Sequence, residues 1–568
     1  MLPLLLDQQS AAAVTLSSKQ LRRLCQSGQQ SLRLGEDSDW QEHAAAAHLS
    51  ERFPACRKLL VTACSSDDLA FHLPDALDTL SGMTSMSTLV VNVFDAAATA
   101  DASAMVLALQ GVRRLIAGVQ VARAAAPARA AAAASACVGQ PFFELQISLH
   151  DSGVMGMWHA HPRVWQAIGQ LQGLNSLQFN SCSPGVLMMP SSIAQMSALA
   201  SLASTLHSLW IQPTLDKAQH SQAIDYNAVG SLSSLTALSL PLAAERQGLS
   251  SISSCCQLRR LHLAVDGTGT GQRVVLQPSE VSALHELTQL TTLWLYDTDC
   301  EDNAGWTFLS SLRRLQQLHV DAVLPHATVA ALAHLTCLSE LTCGWEQQDG
   351  LQQAAGCCAV VRELGVTYGD PPLCAFPGLT FLMHLMPLDP SVFFSTAQCC
   401  TQLKRLLMAR KFGGSSLCDA GSLHATAPSA VRTAAVSSLA ALQHLVEVDL
   451  SVNDDAEVCA VSALWQVKVL YLVVPVHSSC TVQGLAVLAA MRQLQALTLV
   501  LPNSSNSSLE NADVLLLLGA VRHVQCFTVK VQAMHVQGVR GVFAYAYMVL
   551  TKQGLQLPGE LVVEAITD

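Results

Sequence analysis

The densest set of side chains able to hold a metal is His159-Ala160-His161, with His150 and Asp151 just upstream. Two histidines two residues apart on a strand project to the same side and could share a zinc ion. Beyond Asp151, no Asp, Glu or Cys stands at matching spacing. The expectation is therefore surface histidines in a loop, with a metal-dependent enzyme at His159 and His161 as the outside reading. Three adjacent pairs, Cys255-Cys256, Cys357-Cys358 and Cys399-Cys400, also invite a zinc reading. None is a C-x-x-C, and adjacent thiolates chelate one ion poorly. One cysteine of each pair stands three residues before an apolar position (Leu258, Val361, Leu403), which marks it as a small hydrophobe of a core. The run Asp266-GTGTG-Gln272 matches neither G-x-G-x-x-G nor a phosphate-binding loop, since no Lys-Ser/Thr follows it. Asn503 and Asn506 head N-x-S sequons, which matter only in a secreted protein. No Ser/His/Asp set has a nucleophile motif around it. These residues predict binding without catalysis, with no cofactor and no metal.

Composition says what such a chain can bury. Of 568 residues, 51% are hydrophobic and 13% charged, against about 25% charged in a typical domain. Aromatics are 5%, so the core must be aliphatic. The net charge is −11 and no long basic run appears. Nucleic acid and anionic membrane both call for clustered Lys and Arg, so neither is an expected partner. The 19 cysteines are spread along the chain, which fits free thiols in a reducing compartment better than a disulfide framework. The start, MLPLLLDQQS, lacks a basic region and reads as a poor signal peptide. No run approaches about 18 uninterrupted apolar residues. The Ala-rich run from Ala124 to Ala136, broken by Pro127 and Arg129, reads as a loop or loose helix. A soluble cytoplasmic protein is the default expectation.

What positions any binding residues is a repeat. In LHELTQLTTLWLYDT, Leu284, Leu287, Leu290 and Leu293 recur every three residues, and the spacing then tightens to two at Leu295. The first spacing suits a helix or tight coil, the second a short strand. The pattern L-x-x-L-x-x-L-x-L returns along most of the chain. It is near-complete in LQGLNSLQFNSC and again in LAALQHLVEVDLSVN. Strand anchors fall at Leu59, Leu89, Leu115, Leu145 and Leu177, at intervals of 30, 26, 30 and 32. Later anchors at Leu293, Leu318, Leu341 and Leu364 are 25, 23 and 23 apart. The gap of 42 from Leu406 to Val448 holds KFGGSSLCDAGSLHATAPSA and reads as a loop insertion near 409–430. Proline starts recur, as in QPSEVSALHEL and LPHATVAALAHL, where the missing N–H costs nothing in the first helical turn.

Over residues 30 to 530 the chain resembles the leucine-rich-repeat family, in a mixture of its cysteine-containing and plant-type flavours. That resemblance implies an α/β fold. It is a curved solenoid with short parallel strands on the concave face and helices or coils on the convex one. Residues 1–50 are then expected as a helical N-terminal cap, 51–530 as the solenoid and 531–568 as a C-terminal cap, with alternation in LVVEA suggesting a final strand. The N-terminal Leu2-Pro3 with Val14, Leu16, Leu21 and Leu24 loosely resembles a truncated F-box. That implies a Skp1 partner and the role of substrate receptor in a Skp1-type ubiquitin ligase. A cytoskeletal or ciliary axoneme adaptor is the alternative by analogy with the family.

In each L-x-L the middle residue points away from the core, because strand side chains alternate. Stacking lines these residues up, and Trp210, His262, Trp294 and His319 become nearly consecutive rungs, with Tyr471 further along. Tyr296 and Trp345 lie close by. Tryptophan and tyrosine are favoured interface anchors. The expected function is a non-enzymatic scaffold that binds a protein partner through these seven residues.

Overall fold

The computed structural model describes residues 31–34, 56–65, 67–80, 85–94, 102–125, 143–149, 161–181, 197–211, 224–242, 246–265, 273–300, 303–325, 328–345, 358–384, 390–407, 427–475, 478–501, 511–531, 536–553 and 558–565. The chain forms two compact units, Met1–Leu312 and Arg313–Asp568. Each is built from the same physical event. Every second residue of a short apolar segment turns inward, and the segment pairs in parallel with the next one.

In the N-terminal unit the strands are β1 (Ser31–Leu34), β2 (Lys58–Ala63), β3 (Thr88–Val93), β4 (Phe143–Leu149), β5 (Leu174–Ser181), β6 (Ser208–Ile211), β7 (Ala237–Leu242), β8 (Arg260–Val265) and β9 (Thr292–Tyr296). Each pairs in parallel with its successor. The register carries one leucine of every strand across the sheet, from Leu59 through Leu89, Leu145, Leu177, Leu209, Leu238 and Leu261 to Leu293. None of these is more than 1% exposed. Parallel strands cannot be joined by a tight hairpin, so each needs a return segment.

The anchor expected at Leu115 is not a strand. Residues Ala102–Ala125 form a 24-residue helix, α1. Its buried residues Met105, Ala108, Leu109, Val112, Leu115, Ile116 and Val119 are spaced by three and one, the period of a helix face. One enlarged repeat therefore runs from Leu89 to its partner Leu145. Helix α2 (Pro162–Gly169) follows in the next repeat. Helix α3 (Pro278–Glu286) realises the proline start. Its Glu280 carboxylate accepts a hydrogen bond from the Gln277 N–H at 2.8 Å, closing the first turn.

The C-terminal unit continues the pattern through β10 (Gln317–Leu324), β11 (Glu340–Trp345), β12 (Glu363–Val366), β13 (Phe381–His384), β14 (Arg405–Leu407), β15 (Glu447–Ser451), β16 (Val469–Val473), β17 (Ala496–Leu501), β18 (Cys526–Val531) and β19 (Glu560–Ala565). The inward ladder runs Leu318, Leu341, Leu364, Leu382, Leu406, Val448, Leu470, Leu497 and Phe527. The tight passage from Leu364 to its partner Leu382 turns at Gly369, at φ +70°, where a side chain would collide with the Trp345 carbonyl.

The final strand expected in LVVEA is present, at Glu560–Ala565. The strand array starts at Ser31, inside the segment expected to be a helical cap, while residues 1–30 lie outside those described. The tail is a further repeat: a helix at Val536–Lys552 leads to β19, which pairs in register with β18. Most of the expected insertion lies outside the described residues, and its last two residues, 429–430, open a helix at Ser429–Ser438.

In each adjacent pair the described cysteine three residues before the apolar position is a core residue. Cys255, Cys358 and Cys400 are buried, and burial pushes the Cys255 thiol up to about 11. Cys256 is exposed, and Cys357 lies outside the described residues. Cys399, however, is bonded to Cys374, 25 residues earlier. Closing a loop of that length stabilises the folded state by about 3 kcal/mol in the chain-entropy account. Reductant should therefore lower the denaturant midpoint of the wild-type C-terminal unit within the intact chain. The same reductant should leave a Cys374→Ser/Cys399→Ser variant unmoved.

Candidate binding face of the N-terminal sheet

Strands β6 to β9 place Trp210, Ser239, His262 and Trp294 in one row across the sheet. Their neighbours Leu209, Leu238, Leu261 and Leu293 point into the core, so this row must face the other way. Ser239 sits in the row yet is fully buried. The rings of Trp210 and His262 close over it. Their backbones are two strands apart, roughly 9.6 Å, while their ring centroids approach to 5.2 Å with planes 32° apart. A larger residue at 239 would hold them apart. Ser239 Oγ and His262 Nδ1 share a hydrogen bond of 2.8 Å, which fixes the imidazole.

His262 also meets Trp294 edge-on at 5.4 Å and Tyr296 edge-on at 5.1 Å. Trp294 and Tyr296 stand perpendicular at 6.2 Å. Edge-to-face pairs of this kind contribute about 0.5–1.5 kcal/mol each beyond area burial. The chain turns just after Tyr296 through Asp297, at φ +50°, a left-handed conformation that Asp tolerates. Beyond it Thr298–Cys300 pairs with Val274–Leu276, so the end of β9 is held on both sides of Tyr296. The result is four half-buried rings, fixed by one another and by Ser239. Sequence spacing points to the four aromatic residues and not to Ser239, which is buried beneath them.

The three other nominated residues belong to the C-terminal unit. His319 faces outward from β10, and burial lowers its pKa despite the opposing pull of Asp321. The ring of Tyr471, on β16, has the Lys530 ammonium 5.9 Å from its centroid, and Lys530 pairs with Glu564 at 3.5 Å. Trp345 is a correction. It is 1% exposed and packs against Phe376 at 6.1 Å. Alternation along β11 places it with the inward Leu341 and Cys343, so it is a core residue and not part of an outer face. Counting by two from Leu341 would have shown this.

Of the histidines in the outside metal reading, His161 alone is described. His161 caps α2, its Nδ1 accepting a hydrogen bond from the Arg163 N–H at 3.3 Å. His150, His159 and residues 266–272 lie outside the described residues. Among those described, no group of three or more His, Cys, Asp and Glu converges on a point.

No family model matches the chain, and no curated protein matches it in sequence. Solved structures do resemble it. An internalin (inlF) of Listeria monocytogenes matches 53% of this chain and 76% of its own, at 18% identity and a TM-score of 0.34. A leucine-rich-repeat protein of Leptospira interrogans covers 74% of this chain and 86% of its own, at 13% identity and 0.39. The TLR13–ssRNA13 complex matches 96% of this chain and 66% of its own, at 13% identity and 0.43. The fold is the leucine-rich-repeat fold. That assignment rests on the strand register and the buried leucine ladders within each unit.

Burial makes His319 a proton-linked residue. Folding disfavours its charged form, so its contribution to stability is complete above the ordinary pKa of 6.5 and falls as pH drops below that value. Urea unfolding of the full chain across pH 5 to 7.5 should show that decline, and His319→Gln should flatten it. An unchanged pH profile in the variant would remove His319 from the account.

Proposed function

We propose that the chain is a non-enzymatic protein-interaction scaffold and that its partner docks on the outward row of β6 to β9. The observation carrying this reading is the fixed cluster of Trp210, His262, Trp294 and Tyr296 on a sheet face, in a chain with 5% aromatic residues. Aromatic side chains already held in place lose little entropy when a partner covers them. Large, partly exposed Trp and Tyr side chains are the usual energetic centres of interfaces. Leucine-rich-repeat arrays suit such a role because the inward residues hold the fold and leave the outward ones unconstrained.

Trp210→Ala and Trp294→Ala should each weaken a captured partner by about 30-fold, the effect of an anchor worth about 2 kcal/mol, with melting behaviour close to wild type. Trp345→Ala serves as the contrast and should lower stability by about 3–5 kcal/mol as a core truncation. Unchanged affinity in both face variants, with folding intact, would refute the face assignment. The narrower reading, a substrate receptor of a Skp1-type ubiquitin ligase, is supported by Leu2-Pro3 and the apolar residues from Val14 to Leu24, all outside the described residues. Failure of Skp1 to co-purify with the full chain would dispose of it.

A further inference from the structure

In the C-terminal unit the charges of five successive repeats are divided between the two ends of the strands. Just before β14 to β18 the chain makes a file of exposed residues, Lys404, Val446, Lys468, Gln495 and Gln525. From Val446 onward, each donates its N–H to the carbonyl of its predecessor at 2.7 or 2.8 Å. Three residues upstream of Lys468, Gln495 and Gln525 stand Trp465, Arg492 and Arg522, also exposed. Among the described residues of this edge the one acid is Glu447, which pairs with Arg405 at 2.6 Å. Lys404, Lys468, Arg492 and Arg522 have no ion-pair partner among those residues. The next acid along the edge is Glu560, on β19. Asp454, Asp455 and Glu457 lie beyond the far end of β15, where they open the helix at Asp455–Ser462, and Asp449 lies within the strand. A basic edge in a chain of net charge −11 is not a product of average composition.

Folding does not call for this division. File members two strands apart are roughly 9.6 Å apart, about one Debye length, so like charges there repel one another. Apolar surface stands among them. Trp465 is 57% exposed, and Val446 and Val469 are each 37% exposed. The turn that carries Trp465 is pinned. Leu464 and Val467 on either side of it are fully buried. The Gln466 side chain turns inward, and its Nε2 donates to the carbonyls of Leu439 and Leu442 at 3.4 and 3.1 Å. The indole therefore sits on a backbone that has little freedom left to lose when a partner covers it.

Charge complementarity calls for an anionic ligand, and the surface between the cations narrows its class. A single-stranded nucleic acid stacks successive bases on successive rings, whereas this edge has one ring. An anionic bilayer takes up a continuous apolar face, whereas here one indole and two valines stand among exposed carboxamides at Gln443, Gln493, Gln495 and Gln525. Carboxamides both donate and accept, as does the backbone of a peptide. A protein segment with carboxylates on both sides of an apolar side chain matches every part of the edge.

We infer that the edge at which β14 to β18 begin is a docking surface for an acidic segment of a partner protein. Carboxylates of that segment pair with Lys404, Lys468, Arg492 and Arg522, and an apolar side chain covers Trp465. This surface belongs to the C-terminal unit and does not rest on the proposed role of Trp210 and Trp294. The test is fluorescence anisotropy of a labelled peptide of about twelve residues, glutamates flanking a central phenylalanine, titrated with the full chain. The same peptide with glutamine for glutamate, oligothymidylate and phosphatidylserine vesicles serve as comparisons. The expected result is saturable binding of the acidic peptide that falls as salt rises from about 50 to about 300 mM. Lys468→Gln/Arg492→Gln should weaken it about tenfold or more, and so should Trp465→Ala, with melting close to wild type. Should the first charge variant disturb folding, Lys404→Gln/Arg522→Gln carries the same expectation. Trp294→Ala should leave this binding unchanged. Absence of saturable binding by the folded chain overturns the inference, as does equal binding of the glutamine peptide. Binding indifferent to the charge variants or to Trp465→Ala overturns it too, and so does binding lost in Trp294→Ala. Oligothymidylate or vesicles held through Lys468 and Arg492 while the peptide is not would assign the edge to that other class of ligand and overturn it as well.

Discussion

Both units depend on one constraint: an inward apolar residue on each strand must meet an inward apolar residue on the next. The ladder from Leu59 to Leu293 and the one from Leu318 to Phe527 are continuous because every strand pairs in the register that aligns them. A slip of one residue would turn every inward side chain outward. No single repeat has enough neighbours to bury its own leucines, so each repeat is stable only as part of a stack. Variation is therefore tolerated in the return segments and not in the strands. The 24-residue helix between Leu89 and Leu145 and the short passage between Leu364 and Leu382 interrupt neither ladder.

That division of labour leaves the outward rows open to specialisation. In the N-terminal unit they become aromatic toward β9, where Ser239 lets two rings two strands apart meet over it. In the C-terminal unit they carry both signs of charge, as in the Arg405–Glu447 pair at 2.6 Å and the guanidinium of Arg405 4.8 Å from the Phe381 ring centroid. Such half-exposed pairs contribute little to stability, so their placement bears on what the surface presents more than on how the unit folds.

Spacing misleads at three points. Leu115 matched a strand anchor, but its neighbours repeat at three and four, and a helix buries that face better than a strand could. Trp345 was grouped with the outward aromatics by residue type, whereas its parity along β11 puts it inside. The Cys374–Cys399 bond joins two residues 25 apart, and pairing among many cysteines is not deducible from their order.

The sequence by itself determined the architecture, because a period of two at near-constant intervals has few ways to bury itself other than a parallel stack. It also determined which residues face outward at Trp210, His262 and Trp294, since strand parity is a local property. The tertiary structure decided which of those residues touch. Whether two rings two strands apart meet depends on the size of the residue between them and on the lean of each side chain. Neither the closure over Ser239 nor the edge-on packing of His262 against Trp294 and Tyr296 can be read from a one-dimensional spacing.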